Sequence, residues 1–524
     1  MASTSLQSSG STVEADKESQ NCALSEDKGM PTQNTELDAI LPTVSLSLPR
    51  EISLVIVICS AQFLALAGLA QSIAPLHVIG QSFGTSDAGE LSWFPAAYSL
   101  TVGCFILPAG RWGDIFGHKR LLIIGYAWFG LWSLVAGFSV WSRSQIFFDI
   151  CRALQGIGPA ILLPNGIAIL ARTYPPGPRK EMVLSLFGAA APTGFVMSGV
   201  FSGIFAEFAW WPWSYWVHGI TLFVLAVLSI SVVPVDELLT TKWSIADLDL
   251  AGTVVGISGL VLFNFAWNEG PVNGWQVAYV PVLLVVGIIL LSVFVYLEFK
   301  LVKNPLLPLS AFMLDTSLVF GCISTGWASF GIWVFYFWQF LEVVRGDSIL
   351  QAAAEMCPAA ISGAIAVVVT GLLISRMSSG SIMTIAMVAF CVGITLVATN
   401  PADRTYWAQL FLSPIITSWG MDMSFPAGVI VLSNHMPRHQ QGIAASMVNT
   451  VVNYSISIGI GMAGTAERYV KQDGADILGG YRAALYVGIG LDVLGFCLAL
   501  CLMFLQSRVK KARSTATAKE PGQV

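Results

Sequence analysis

Gly110-Arg-Trp-Gly-Asp-Ile-Phe-Gly-His-Lys-Arg120 stands between two apolar runs, residues 90–109 and 121–140. A helix needs about 20 residues to cross the hydrocarbon core of a bilayer, and each run is that long. The stretch between them therefore reads as a tight, charged loop joining two membrane helices. Gly110, Gly113 and Gly117 allow close backbone approach and positive φ. Asp114 can accept from the start of the next helix or pair with a nearby arginine. Arg111, Lys119 and Arg120 hold this side to the cytoplasm. A basic turn serving topology alone needs no Gly–Asp–Gly spacing, so the stretch reads as more than a topological signal.

Working outward, the whole chain has the same character. Of its 524 residues, 55% are hydrophobic and 11% charged, and mean hydropathy is +0.71. Soluble domains carry about 25% charged residues, so the expected class is an all-α polytopic membrane protein. The net charge of −5 sits in tails and loops and leaves no basic surface for nucleic acid. Nine cysteines are scattered with no C-x-x-C pair and read as small core residues, not as a disulfide or metal framework. No G-x-x-x-x-G-K-[ST] occurs, so ATP drive is not expected. Neither catalytic residues nor a metal or other cofactor are expected.

Fourteen candidate spans follow a Ser-, Thr- and acid-rich start: 52–79, 90–109, 121–141, 145–171, 182–206, 213–234, 248–268, 277–299, 316–341, 349–375, 381–399, 405–434, 441–465 and 481–507. With both termini inside, the inner loops hold eleven Lys and Arg and the outer loops six. That bias supports an even span count with cytoplasmic ends. The expected domains are a disordered cytoplasmic tail (1–50), a six-helix half (51–235), a two-helix linker (236–303), a second six-helix half (304–507) and a C-terminal tail (508–524). Gly270-Pro271 and Gly274-Trp275 are expected to form the turn between the linker helices.

The opening stretch resembles the loop after the second helix of the major facilitator superfamily, G-x-x-x-D-R-x-G-R-R. Gly110, Asp114, Gly117, Lys119 and Arg120 match, while Ile115 and His118 stand where the family usually has basic residues. The resemblance implies a latch between the two halves of a transporter. Arg152, Gln155, Gly156 and Gly158 resemble the family's fourth-helix motif, R-x-x-Q-G-x-G. The run from Gly188 through Pro192 and Gly194 to Gly199 and Gly203 resembles the fifth-helix motif of exporters, with Ala191 replacing the usual Gly. The resemblance is closest to fungal members of the fourteen-span drug:proton antiporter branch. That group includes toxin, aminotriazole and boron exporters and low-affinity ammonium transporters. It implies a fold of two six-helix halves plus a two-helix linker.

Ionisable residues inside spans are functional candidates by default. Arg152 lies about 10 Å from the outer end at 1.5 Å per residue, and Asp149 is three residues earlier on the same helix face. They read as a proton-coupling pair, with a static pair or a snorkelling arginine as alternatives. Glu355, Asp422 and Asp492 supply acids to the second half, each balanced against a plain helix–helix hydrogen bond. Candidate cavity residues are Gln71, Gln155, Pro192, Gly194, His218, Trp333, Gln339, Asn449 and Asn453. No acid occurs in the first span, where this branch often has one.

These residues imply a secondary active exporter of small organic molecules by proton antiport, expected as a monomer in the plasma membrane, with the vacuolar membrane as alternative. The partners are a small-molecule substrate, protons and the lipid bilayer. One alternative is a facilitator or exporter of a small inorganic solute such as ammonium or borate, which the missing first-span acid favours. A transport-dead membrane sensor is the alternative of another class.

Overall fold

The computed structural model describes residues 47–175, 177–234, 249–300, 313–374, 376–434, 441–471 and 474–518. Most of the expected N-terminal tail (1–46), parts of the linker (236–248, 301–303) and residues 519–524 lie outside the described residues. Among those described there is no strand. In lipid a helix satisfies its own backbone, which is why apolar runs of this length fold this way.

The helices are α1 (Leu48–Ala70), α2 (Leu76–Phe83), α3 (Ala88–Phe116), α4 (His118–Phe138), α5 (Gln145–Thr173), α6 (Pro178–Phe208) and α7 (Pro212–Val232). Two more follow, α8 (Leu250–Asn273) and α9 (Tyr279–Lys300). The last group is α10 (Leu314–Gln339), α11 (Ile349–Met356), α12 (Pro358–Ile374), α13 (Ser379–Ala398), α14 (Leu412–Asn434), α15 (Gln441–Lys471) and α16 (Ile477–Ala518). Fourteen candidate spans result, α11 and α12 forming one of them.

Each expected span has one counterpart, with four corrections. The stretch 110–120 is not a loop: α3 runs helical to Phe116 and α4 starts at His118. Gly117 alone makes the turn, at φ 95°, with its amide donating to Gly113 O at 2.9 Å. Only glycine adopts that backbone at no steric cost. The first span is broken, because α1 ends at Ala70 and turns through 71–75 before α2. Residues 405–411 are not part of their span: Tyr406–Ala408 is a short 3₁₀ turn and α14 starts at Leu412. Gly270-Pro271 belongs to the last turn of α8, and the linker turn begins at Gly274, φ 92°.

Helices α1–α7 pack mainly among themselves: α3 and α4 against α5, α4 against α7, α1 against α6. Helices α10–α16 do likewise, with α10 against α15 and α16, and α13 against α14 and α16. The groups meet where α3 lies along α15 and where α6 meets α11 and α12. Small residues set these approaches, since lipid supplies no hydrophobic drive between helices. Gly194 of α6 touches the carbonyl oxygen of Phe63 in α1 so closely that a Cβ there would overlap it. Gly194→Ala should therefore push α1 and α6 apart. Overpacking of this kind costs about 1–3 kcal/mol, so thermal unfolding of the purified protein should begin at lower temperature. An unchanged melting curve would contradict this packing.

The pair α8–α9 is docked asymmetrically. α8 rests on both groups, against α15 and α3, while α9 packs chiefly on α8. Tyr454 donates to Leu260 O at 2.8 Å, and Ser457 Oγ lies 2.8 Å from Asn264 Oδ1 and 3.0 Å from Ala96 O. Trp93 of α3 meets Phe265 of α8 with ring centroids 5.1 Å apart.

Candidate functional site

At the Gly117 turn, Asp114 lies 3.0 Å from Arg172 of α5 and 3.3 Å from Nε2 of His118. His118 is buried, and its Nδ1 sits 2.7 Å from Asn165 Oδ1. Asn165 in turn donates to Ile161 O at 2.7 Å. Lys119 reaches the end of α7, donating to Ile230 O at 2.8 Å and Val233 O at 2.6 Å, a cation on helix-terminal carbonyls. Arg120 is exposed. Gly110 faces Pro164 and Ser446, the latter on α15 of the other group. The Asp114 side chain is 57% exposed, and exposed ion pairs are worth about 0–1 kcal/mol. Asp114→Asn should thus leave folding and membrane level intact. If the whole 1 kcal/mol biases a gate, flux falls roughly fivefold, as RT converts it. Normal flux at equal membrane level would remove Asp114 from the gate.

Arg152 is fully buried in α5. Its Nε donates to Phe94 O at 2.9 Å, and its Nη2 to Gly68 O at 2.8 Å and Ser72 Oγ at 3.0 Å. Its Nη1 donates to Gln155 Oε1, and Gln155 Nε2 to Ser133 Oγ at 2.7 Å. The guanidinium lies over Tyr98, 4.6 Å from the ring centroid. The expected Asp149–Arg152 pair is not formed. The guanidinium crosses to α1 and α3, where neutral acceptors take it, while Asp149 Oδ1 has no hydrogen-bond partner. Snorkelling is excluded by the complete burial of Arg152. At the break after α1, Gly68 O and Ser72 Oγ both accept from Arg152. Gln71 sits in the same break, 1% exposed, with its Nε2 unpartnered. His218 on α7 packs edge-on to Phe129, centroids 4.9 Å apart, and its Nε2 has no hydrogen-bond partner.

The three acids of the second group singled out in the sequence occupy different settings. Asp492 is fully buried and accepts from Ser329 Oγ at 2.6 Å, a bond between α16 and α10 inside one group. Glu355, on α11, accepts from Gln351 at 3.3 Å in its own helix. Asp422 lies mid-way along α14, and its buried Oδ2 has no hydrogen-bond partner. A Cβ built on Gly363 of α12 would stand 2.9 Å from Asp422 Oδ2 and 3.2 Å from Pro192 Cβ of α6. Asp422 and Pro192, singled out separately in the sequence, thus face the same point where the groups meet. Trp419 and Trp327 beside it donate to Ser362 Oγ and Ser424 Oγ, both at 3.1 Å.

The remaining cavity candidates are dispersed. Trp333 is buried and donates to Ser413 Oγ at 2.7 Å, which ties α10 to α14. Asn449 and Asn453 donate to carbonyls one turn back on their own helix, Ala445 and Asn449. Gln339 lies far from Asp422 along the chain's course, at the end of α10, where it accepts from His77 at 2.7 Å. Gly194 is filled by Phe63 and lines no open space.

The sequence reading passed over Glu467, which is 3% exposed and accepts from Tyr336 at 2.8 Å. The expected span stopped at 465, two residues short, whereas α15 runs to Lys471. It also passed over Asn264 and Asn268, whose i, i+4 spacing is a legible sign of one polar face on an otherwise apolar helix.

Comparison with known proteins agrees with this architecture. The sequence profile of the Major Facilitator Superfamily matches residues 56–460. A low affinity ammonium transporter of Saccharomyces cerevisiae is 57% identical over 86% of this chain and 88% of its own. The efflux pump terJ of Aspergillus terreus is 48% identical over 87% and 88%. The aminotriazole resistance protein of Saccharomyces cerevisiae is 39% identical over 88% and 85%. Among solved structures, peptide transporter POT in complex with sulfate covers 91% of this chain and 98% of its own, with TM-score 0.64 at 13% identity. That likeness shows the fold: two six-helix halves plus a two-helix linker. With the profile spanning most of the chain and close relatives covering nearly all of its membrane part, this protein is a multi-pass transporter, not an enzyme, and belongs to the major facilitator superfamily.

Proposed function

We propose that this transporter exports small organic molecules by proton antiport, with Asp422 as the proton-carrying acid. The observation that carries the reading is the Asp422 carboxyl: the side chain is half-buried mid-way along α14, and its Oδ2 is buried without a hydrogen-bond partner, facing Pro192 across Gly363. A charge buried without a partner is costly, so binding a proton or a cation relieves it. Substrate sites of this fold lie near the bilayer midplane between the halves. Residues 51–235 and 304–507 act as the moving halves, with 236–303 as linker, both termini cytoplasmic, as a monomer in the plasma membrane. Relatives named as efflux pumps at 48% and 37% identity support export.

A second reading is ammonium transport, favoured by the 57% identity to the yeast low affinity ammonium transporter. The test is flux in proteoliposomes with an imposed pH gradient, across a panel of organic solutes and radiolabelled methylammonium. Gradient-driven movement of an organic solute supports the first reading. Movement of methylammonium alone, insensitive to the gradient, replaces it with the second.

A further inference from the structure

Helix α8 touches both helix groups, and the two contacts differ in kind. Toward α15 they are polar and buried. Tyr454 donates to Leu260 O at 2.8 Å, and Asn268 Nδ2 donates to Ser457 Oγ at 3.4 Å. Asn264, Asn268 and Ser457 are all fully buried. Where α8 ends, Arg468 donates to the carbonyls of Pro271 and Val272, and Trp275 donates to Thr465 Oγ1 at 3.3 Å. Gly461 and Gly464 of α15 let Trp267 O and the Pro271 ring approach closely. α9 follows α8, with Gly256 and Gly259 seated on Phe294 and Leu291, and Gly287 on Phe263.

Toward α3 the contact is packing alone. Trp93 lies against Phe265, and Gly89 stands beside Pro271 and Val272. Among the described residues no hydrogen bond joins α3 to α8. The difference decides which seam can part in a bilayer. Lipid tails replace a ring contact at little cost, being as apolar as the ring. No water in the hydrocarbon core replaces a broken hydrogen bond.

Ser457 sits at the junction of the three helices. Its Oγ lies 3.0 Å from Ala96 O of α3 and 2.8 Å from Asn264 Oδ1 of α8. A hydroxyl carries one proton, so these two oxygens are alternative acceptors. When α3 moves away, Asn264 still takes that proton, and no buried donor is stranded. Moving α8 away from α15 instead would break the bonds of Ser457 and Tyr454 to it together.

We propose that α8 and α9 are carried as a rigid part of the second group, and that α3 parts from α15 and α8 together, Ser457 handing its hydrogen bond from Ala96 to Asn264. The linker pair is then a fixed wall of one half, not a hinge between the two. The inference rests on the reading that the two groups move against one another, and not on Asp422 or on the substrate.

Double electron–electron resonance on the full chain in lipid nanodiscs tests it. Spin labels go on non-natural residues at three exposed positions: Ser142 of the first group, Gln276 of the linker turn and Asp403 of the second group. The Ser142–Asp403 distance should show two populations, and Gln276–Ser142 should show the same two in the same proportions. Gln276–Asp403 should show one. Two populations for Gln276–Asp403 overturn the proposal, whether or not Gln276–Ser142 also divides. A single Ser142–Asp403 distance removes the movement of the groups itself, and the proposal with it. Asn264→Leu deprives Ser457 of its second acceptor, so the longer Ser142–Asp403 population should fall several-fold. Adding Ser457→Ala leaves no hydroxyl to strand and should restore it. Equal populations in the unaltered and Asn264→Leu proteins overturn the hand-over. The three distances in the unaltered protein decide the question even if Asn264→Leu misfolds.

Discussion

Asp422→Asn should abolish uphill, gradient-driven transport while leaving downhill exchange intact. Of the three acids of the second group singled out in the sequence, Asp422 is the one whose carboxyl oxygen faces the other group, beside Pro192. Asp492 is held by Ser329 within its own group, and Glu355 by Gln351 within its own helix. Ser329 and Gln351 belong to the same group as the acids they hold, whereas Pro192, beside Asp422, belongs to the other. Asparagine preserves size and hydrogen bonding but carries no proton, so the carrier can still alternate with substrate bound. Accumulation against a gradient should disappear, and counterflow should persist near its normal rate. Asp492→Asn and Glu355→Gln should be milder. If the Asp422→Asn protein still concentrates substrate, Glu355 becomes the next candidate.

Arg152→Ala should eliminate transport and weaken the fold of the first group. The guanidinium joins α5 to Phe94 of α3 and to Gly68 and Ser72 at the end of α1. Each buried polar group left without a partner costs about 1–3 kcal/mol, and Gly68 O and Gln155 Oε1 would lose the donor that Arg152 supplies. Arg152→Lys should retain little activity, since a single ammonium on a shorter side chain cannot replace a fork that serves three helices at once. The two variants separate roles: thermal stability rescued by lysine without flux marks Arg152 as more than a brace. Full flux in the lysine variant would mean that only its charge matters.

Much of this fold was legible in the chain, and the reason is physical. Spans of about 20 apolar residues have one solution in lipid, so their number and order could be counted. The turn at 110–120 was placed correctly but drawn too long. Charged residues there suggested a loop, yet a helix end leaving the bilayer can carry Arg111 and Asp114 in solvent, and only Gly117 needs unusual φ. The break at 71–75 was read through as one span although Pro75, which has no amide to give a helix, stands in it; the bond from Arg152 to Ser72, 80 positions apart, needed tertiary structure. The same distance effect misled the pairing of Asp149. Helical spacing put it beside Arg152, but acceptors on α1 and α3 offered the guanidinium shorter routes. The link between Asp422 and Pro192 needed tertiary structure, as did the bridge from His77 to Gln339, which joins residues 262 positions apart.

The central claim is that substrate and proton exchange across one carrier through Asp422. It is tested most directly by proton movement without an imposed pH gradient. Liposomes holding the protein and a pH-sensitive dye are given a substrate gradient alone, with membrane potential clamped. The account predicts that substrate leaving down its gradient drives protons the other way, shifting lumen pH in the unaltered protein and not in Asp422→Asn. Substrate flux with no pH change in the unaltered protein, or an equal pH change in both, would contradict it.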